Sequence, residues 1–506
     1  MNSFKPMLLT SLKSYDRAQF AKDVTAGIIV AIIALPLSIA LALASGVGPE
    51  AGIFTAIVAG FVISALGGSC VQIAGPTAAF ATIVAGIVAR DGLEGLMTAT
   101  ILAGVFLIIM GFCHFGSLIK FIPYTITTGF TSGIAVTIVI GQLKDFCGVT
   151  YPDGVKPIET MEKLKAFAEN FSTISPDALI VGGVSLAILI VSPLIFKRIP
   201  GSLIAVIVGI LMVQFLPLHV STIGNLYTIS NALPTLHLPV FDMKLIQSAI
   251  PNAFTIAVLA AIESLLSCVV ADGMINSKHR SDTELIAQGA GNIASALFGG
   301  IPATGAIART AANIKNGGRT PVAGIVHSIT LVIVLVVLMP FAGMIPMPTI
   351  AAILFLVAYN MCQWRTFVHL VRTAPKSDII VLFTTFVLTV VFDLVVAIEI
   401  GMVLACLLFI KRMSEETHAD SWVYEDDDSP AVDEHLQKLP LEIRVYEITG
   451  PLFFGAADAI EHIVVKDFTK CLVLRMRSVP AIDSTAMNAL QNLTKLCESK
   501  GITLVF

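Results

Sequence analysis

The chain has 506 residues, 56% of them hydrophobic and only 13% charged, against about 25% charged in soluble domains. With a mean hydropathy of +0.88, that composition excludes an ordinary soluble protein and leaves a polytopic membrane protein. A net charge of -4, mixed in sign and without a basic patch, gives no reason to expect nucleic acid as a partner.

Residues 1–23 carry Lys5, Lys13, Arg17 and Lys22 before the first apolar run and no small-residue cleavage site after it, so they read as a retained cytoplasmic segment. Spanning a bilayer takes roughly 20 apolar residues, and shorter pieces are allowed where a helix is broken inside the protein. About fourteen pieces follow on this reading. They start near Val24, Ala51, Val71, Gly95, Ile122, Ala178 and Ser202, then near Pro251, Thr283, Pro302, Pro321, Ile345, Ser377 and Val395, and end at Lys411. Connections on the side of the N-terminus hold Lys120, Lys197 with Arg198, Lys278 with Arg280, Lys315 with Arg319, Arg365 with Arg372 and Lys376, and Lys411 with Arg412, the positive-inside pattern. Residues 151–176, with Lys156, Lys163 and Lys165, read as small surface helices. Asp393 and Glu399 read as caps of a hairpin between the last two segments.

The transmembrane region, residues 24–412, divides into sets of seven, about 24–231 and 251–412; because seven is odd, the sets run antiparallel as an inverted repeat. The third piece of each set is broken by glycine and proline: Gly75, Pro76 and Thr77 in one, Pro302, Ala303, Thr304 and Gly305 in the other. Paired breaks point to a carrier's binding site, since non-helical backbone in lipid must be buried or line a cavity. Half-helix starts offer unpaired N–H groups to an anion. These groups fall near Thr77, Ala78 and Ala79 and near Gly305, Ala306, Ile307 and Ala308, and close helix packing is the competing use of such small residues.

Past Arg412 the composition turns polar. Residues 413–439, with the acidic run 425–428, read as a linker, and 440–506 as a soluble module. Strands are expected over 441–448, 471–476 and 502–506 and helices over 456–465 and 484–499, which is an α/β layer. The module is short and ends in mid-strand, so a truncated domain is expected. The eight cysteines, Cys70, Cys113, Cys147, Cys268, Cys362, Cys406, Cys471 and Cys497, show no CxxC and read as packing residues, with no metal or cofactor expected.

Residues 261–313, with AIESLLSCVVADGM, QGAGNI and FGGIPATGAIARTAAN, together with ALPLSIALALASGVGPEAGIF at 34–54 and GPTAAF at 75–80, resemble the SulP (sulfate permease) family of anion transporters. Within the family they are most similar to bacterial DauA-type dicarboxylate carriers. PLFFGAAD at 451–458 and VPAIDSTAMNAL at 479–490 resemble the STAS domain such transporters carry. The resemblance implies an all-α, UraA-like membrane fold of fourteen segments in two inverted sevens. A core domain would move against a gate domain, a partial STAS domain would follow, and the protein would form a homodimer in the inner (plasma) membrane. Both termini would be cytoplasmic, where the STAS domain would meet regulatory proteins.

Glu263 and Arg309 lie within apolar pieces, where a lone charge costs about 2.5 to 3.5 kcal/mol on insertion scales, so each must find a partner. They are expected to partner each other, either as a lock between helices or as working groups. The working reading makes Glu263 the coupling group for a proton, supported by the family's acidic side chain at this place, and gives Arg309 the positive field for the substrate. Thr77 donates its hydroxyl to the anion on this reading. The resemblance also places Leu37, Ser38 and Leu41 at the pocket. Sodium-coupled bicarbonate members resemble the chain around Glu263 and Ser267, and sodium would sit near Glu263, Ser267 and Gly305. Those members carry a hydroxyl residue in place of Ile307 and an aspartate in place of Glu263, which favours H+ over Na+ here. Ser484, in Asp483-Ser484-Thr485, matches the loop at which related STAS domains are phosphorylated, against the alternative of a helix N-cap made by Asp483 or Ser484.

The expected function is therefore proton-coupled uptake of a small anion, a C4-dicarboxylate such as succinate or fumarate, by alternating access, with sodium- or proton-driven bicarbonate or sulfate as the alternative. A nucleobase carrier of the same architecture would want amide or carboxylate groups where Ala306 and Ile307 stand. No GxSxG, HExxH or ring of like charges in a span argues for an enzyme or a channel.

Overall fold

The computed structural model describes residues 4–117, 123–152, 157–195, 200–239, 242–392, 394–422, 440, 442–456, 460, 463 and 468–506. Lys120, Lys156, Lys197, Arg198, Asp393, the acidic run 425–428 and most of the helix expected over 456–465 lie outside the described residues. Two compact units are present: Met1–Ala374 with Ile379–Gly401, and Pro375–Asp378 with Met402–Phe506.

The first half contains α1 (Met7–Ser11), α2 (Arg17–Ala44), α3 (Pro49–Leu66), β1 (Ala74–Gly75), a 3-10 turn (Ala78–Phe80), α4 (Ala81–Phe112) and α5 (Tyr124–Cys147). It continues through α6 (Thr160–Glu169), α7 (Pro176–Ile195), α8 (Gly201–Phe215) and α9 (Ile223–Leu226). The second half contains α10 (Met243–Ile275), α11 (Ser281–Leu297), β2 (Thr304–Gly305), α12 (Ile307–Lys315), α13 (Val322–Ala342), α14 (Met347–Cys362), α15 (Trp364–Thr373), α16 (Lys376–Val391) and α17 (Leu394–Glu415).

Eight stretches are long and apolar enough to cross a bilayer, those of α2, α3, α4, α5, α7, α10, α13 and α14, the last counted together with α15 as Met347–Thr373. The shorter or more polar α8, α11, α12, α16 and α17 complete the set, and Gly92, at φ 70°, divides α4 in two, which makes fourteen segments among the described residues. Most of these helices are apolar all round, as lipid requires. α6, by contrast, is polar on one face and opens with a capping box between Glu159 and Glu162, as a surface helix should.

Packing carries the inverted repeat. α2 packs on α13 and α10 packs on α4, which are the same pairing once the halves are exchanged. The α3–α13 pair likewise maps onto α11–α4, while α3–α11 and α5–α14 map onto themselves. These contacts gather α2 to α4 and α10 to α13 into a core body and α5, α7, α8 and α14 into a gate body. At the α4–α11 crossing the backbones nearly touch: a Cβ on Gly104 would stand 2.6 Å from the Gly289 carbonyl, and one on Gly289 2.5 Å from that of Gly104. Small residues permit such an approach between spanning helices.

Several boundaries differ from expectation. α10 begins at Met243, not Pro251, because Asp242 caps it by accepting from Lys244 N at 3.0 Å; Pro251 sits inside the helix. The third and tenth segments begin past the breaks, at 78 and 307, because the preceding backbone is extended. Glu399 lies exposed inside α17, beyond its first turn, and caps nothing.

In the C-terminal unit, α17 runs on to Glu415, and β3 (His418–Trp422) lies within the stretch read as linker. The sheet order is β3-β4-β5-β6, with β4 (Ile443–Thr449), β5 (Cys471–Ser478) and β6 (Thr503–Val505); β3 is antiparallel to β4 and the others are parallel. α18 (Ser484–Ser499) makes the crossover from β5 to β6 and buries Ala486, Leu490, Leu493 and Cys497 against Ile448, Leu472 and Leu474. Ala419 packs on this cluster, which is why a polar-looking segment becomes an edge strand. Asp483 is the N-cap of α18, accepting from Ala486 N at 2.8 Å, and Ser484 is an exposed first-turn residue.

Candidate functional site

The two breaks meet each other. β1 and β2 form a short antiparallel ribbon, Ala74 opposite Gly305 and Gly75 opposite Thr304, and Ala306 N donates to Ile73 O at 2.9 Å. Both half-helix starts therefore leave from one point. Buried backbone outside a helix must find other partners, and here side chains supply them. Asn292 accepts from Ala303 N at 2.8 Å and donates to Ala303 O at 2.9 Å. Thr310 Oγ1 accepts from Ile73 N at 3.1 Å, and Asn313 Nδ2 donates to Val71 O at 2.9 Å. Ser264 Oγ accepts from Gly305 N at 3.3 Å and lies 2.7 Å from Thr304 Oγ1. Glu284, on α11, accepts from Gly68 N at 2.8 Å and Ser69 N at 3.2 Å at the approach to the first break. Sequence reasoning passed over these residues, although polar side chains inside apolar stretches were their visible signal.

Glu263 and Arg309 do not pair with each other; each goes to the first repeat. Thr77 Oγ1 donates to Glu263 Oε2 at 2.9 Å, so the hydroxyl expected to hold the anion is spent on the carboxyl group. Arg309 is only 3% exposed and donates through Nη2 to Pro76 O at 2.8 Å, while its buried Nη1 has no protein acceptor. The guanidinium reaches this place because Gly75 has no side chain: a Cβ there would stand 2.3 Å from Nη1. On the other side Gln72 Nε2 would stand 1.8 Å from a Cβ on Gly305. Each break is thus closed by a polar side chain from the opposite repeat.

The remaining candidates separate. Ala306 N is taken by Ile73, which leaves Ile307 and Ala308 as the first N–H groups of α12, ahead of any partner within the helix. Both residues are exposed, Ile307 by 41%, while Ala306 and Arg309 on either side are buried, so the start of α12 faces open space. Ala78 and Ala79 begin the 3-10 turn and are buried, and Thr77 is half-buried. Ser267, one turn from Glu263, directs its hydroxyl to Thr310 Oγ1 at 3.4 Å. α2 packs against α12; on it Leu37 is half-buried, Leu41 is buried, and Ser38 is buried with an unpartnered Oγ and its carbonyl against Gly52 of α3.

Two inverted halves that each deliver one interrupted helix to a shared, polar, cation-bearing point define a membrane carrier for anions. The sulfate permease family profile matches residues 20–385 and the STAS domain profile residues 438–506, and the chain belongs to the sulfate permease family. It is 39% identical over 493 residues to YvdB of Bacillus subtilis (strain 168), whose description names sulfate, covering 95% of this chain and 90% of that protein. It is 34% identical over 488 residues to the bicarbonate transporter BicA of Picosynechococcus sp., covering 93% and 85%. The structure of the murine Slc26a9 anion transporter in the inward-facing state shares the fold, with a TM-score of 0.87 at 18% identity over 98% of this chain and 87% of that one. The chain is thus a multi-pass anion transporter with a STAS domain, and its relatives are transporters, not enzymes.

Proposed function

We propose that this transporter is a secondary active, proton-coupled importer of C4-dicarboxylates such as succinate or fumarate, working by alternating access. The observation that supports it best is the Thr77–Glu263 hydrogen bond beside the Arg309 guanidinium. A negative Glu263 opposes an incoming anion by Coulomb repulsion, and a proton on it leaves Arg309 and the N–H groups of Ile307 and Ala308 unopposed. Proton and anion then bind together, which is the linkage a symporter needs. Sodium is the weaker driver, because Ile307 brings no hydroxyl and Ser267 turns toward Thr310. Bicarbonate or sulfate is the second reading of the substrate, favoured by the identity to BicA. In this proposal the protein is a homodimer in the inner membrane. Both termini and the STAS domain lie in the cytoplasm, where Ser484 and regulatory proteins set its activity.

The test is reconstituted uptake across a panel of labelled dicarboxylates, bicarbonate and sulfate, with pH and sodium gradients imposed separately. Uptake of succinate driven by pH and lost in Glu263→Gln is the expected result. Unchanged proton coupling in that variant refutes the assignment of Glu263, and sulfate or bicarbonate uptake without dicarboxylate uptake replaces the substrate.

A further inference from the structure

α15 has the composition of a helix that lies on a membrane and does not cross it. Its ten residues, WRTFVHLVRT, rise only about 15 Å, against a hydrocarbon layer of about 30 Å. At 100° per residue, Trp364, Phe367, Val368, Leu370 and Val371 fall on one arc, and Arg365, His369, Arg372 and Thr373 fall opposite. No residue of α15 is fully buried and Trp364 is 48% exposed, while Phe367, Val368, Leu370 and Val371 are half-buried, so the protein leaves the Trp364 end of the apolar arc open.

Its place in the fold says what covers it. α15 follows directly on the spanning α14 through Gln363, whose left-handed φ of 45° ends that helix, and precedes the spanning α16. Phe367 fastens it to α16, its ring 5.6 Å from that of Phe383 and 5.5 Å from that of Phe386. A helix pinned at the ends of two spans sits at the boundary between hydrocarbon and water. Arg365 and Arg372 are both exposed, stand two turns apart on one face, and have no carboxylate partner among the described residues. Arg365 also lies over the Trp364 ring at 5.9 Å, which joins the charged and apolar arcs at one end. Guanidinium groups bind phosphate through paired N–H donors, and Trp favours the headgroup level. An exposed Trp364 ring for the apolar side of the interface and a cationic arc for phosphate together fit one occupant.

We propose that α15 is an interfacial helix that binds anionic phospholipid, with Arg365 and Arg372 holding headgroup phosphate and the exposed Trp364 ring seated where headgroups meet acyl chains. The full chain, purified in neutral detergent, is melted with added phosphatidylglycerol, phosphatidylcholine or inorganic phosphate. Phosphatidylglycerol should raise the melting midpoint where the other two do not. The double variant Arg365→Gln/Arg372→Gln should lose more than half of that rise, and Arg365→Lys/Arg372→Lys should keep most of it. A full rise in the glutamine variant, or an equal rise with phosphatidylcholine or phosphate, overturns the proposal. Should the glutamine variant not fold, intact-complex mass spectrometry of the unaltered chain decides: retention of phosphatidylglycerol over phosphatidylcholine supports it, and equal retention overturns it.

Discussion

Gly75 and Gly305 are conserved in role between the two repeats of this chain: each leaves a gap that a polar side chain of the other repeat fills. The consequences of filling the gaps differ. In Gly75→Ala the new methyl displaces the Arg309 guanidinium from Pro76 O, a charge-assisted bond of about 1.5 kcal/mol or more, so transport at limiting substrate should fall about tenfold with the fold intact. Initial rates in liposomes check this. Gly305→Ala meets Gln72 in a closed interior, and overpacking of that kind costs about 1 to 3 kcal/mol of stability. Adding Gln72→Ala should return most of that loss in a melting experiment, and no recovery in the double variant would show that the clash lies elsewhere. Sequence alone flagged both glycines as breaks, but the residues that fill them, Arg309 and Gln72, are far away in the chain.

Residues 4–23, of which 17–23 form the first turns of α2 rather than a segment before the first span, fasten to both repeats, a role their charge pattern did not announce. Met7 N donates to Gly67 O at 2.8 Å, and Arg280 donates to Lys5 O at 2.6 Å, beside the approach to the first break. Asp23, fully buried, accepts from Arg319 N at 2.9 Å and Thr320 Oγ1 at 2.6 Å in the loop that follows α12, and from Gln19 Nε2 at 2.9 Å and Tyr15 Oη at 3.0 Å. Asp23→Ala should cost about 2 to 4 kcal/mol, since it strands several buried donors, and Tyr15→Phe about 1 kcal/mol, both read from melting midpoints. Burial first, and then the Asp23 carboxyl, push the Tyr15 phenol up to about 12. The sign follows: a raised value favours the protonated phenol in the folded state, so its contribution is complete below about pH 10, the unfolded value, and is lost as pH rises from there to about 12. The difference between Tyr15→Phe and the unaltered chain should therefore be flat across neutral pH and shrink only in strong base. A difference that changes between pH 6 and 8 would contradict it.

Because the β1–β2 ribbon joins the two half-helix starts, the proposed alternating-access motion must carry both starts as one body. Cysteines placed at Ala78 and at Ala308, in a background without the exposed native thiols of Cys113 and Cys406, should gain and lose reactivity to a membrane-impermeant reagent together, and substrate should protect both. Protection of one without the other would separate the starts and undo the shared site. Composition, hydropathy and the glycine and proline breaks made the membrane class, the inverted sevens and the family legible, because lipid imposes spans of fixed length and tolerates irregular backbone only inside protein. The linker and the segment starts were misread where Asp242 capping and Ala419 packing prevail over local composition.

Apolar periodicity and turn chemistry act between near neighbours, so the chain's own order of residues was enough to define which stretches are apolar enough to span and where the two repeats are broken, though not the residue at which each helix starts. Which groups meet at those breaks was decided only by folding. Thr77 takes Glu263 from 186 positions away, and Pro76 takes Arg309 from 233, because a carboxyl or guanidinium group drawn away from water binds whatever complementary group the packed helices bring within about 3 Å. The expected Glu263–Arg309 pair gave way to two separate links between the repeats for that reason.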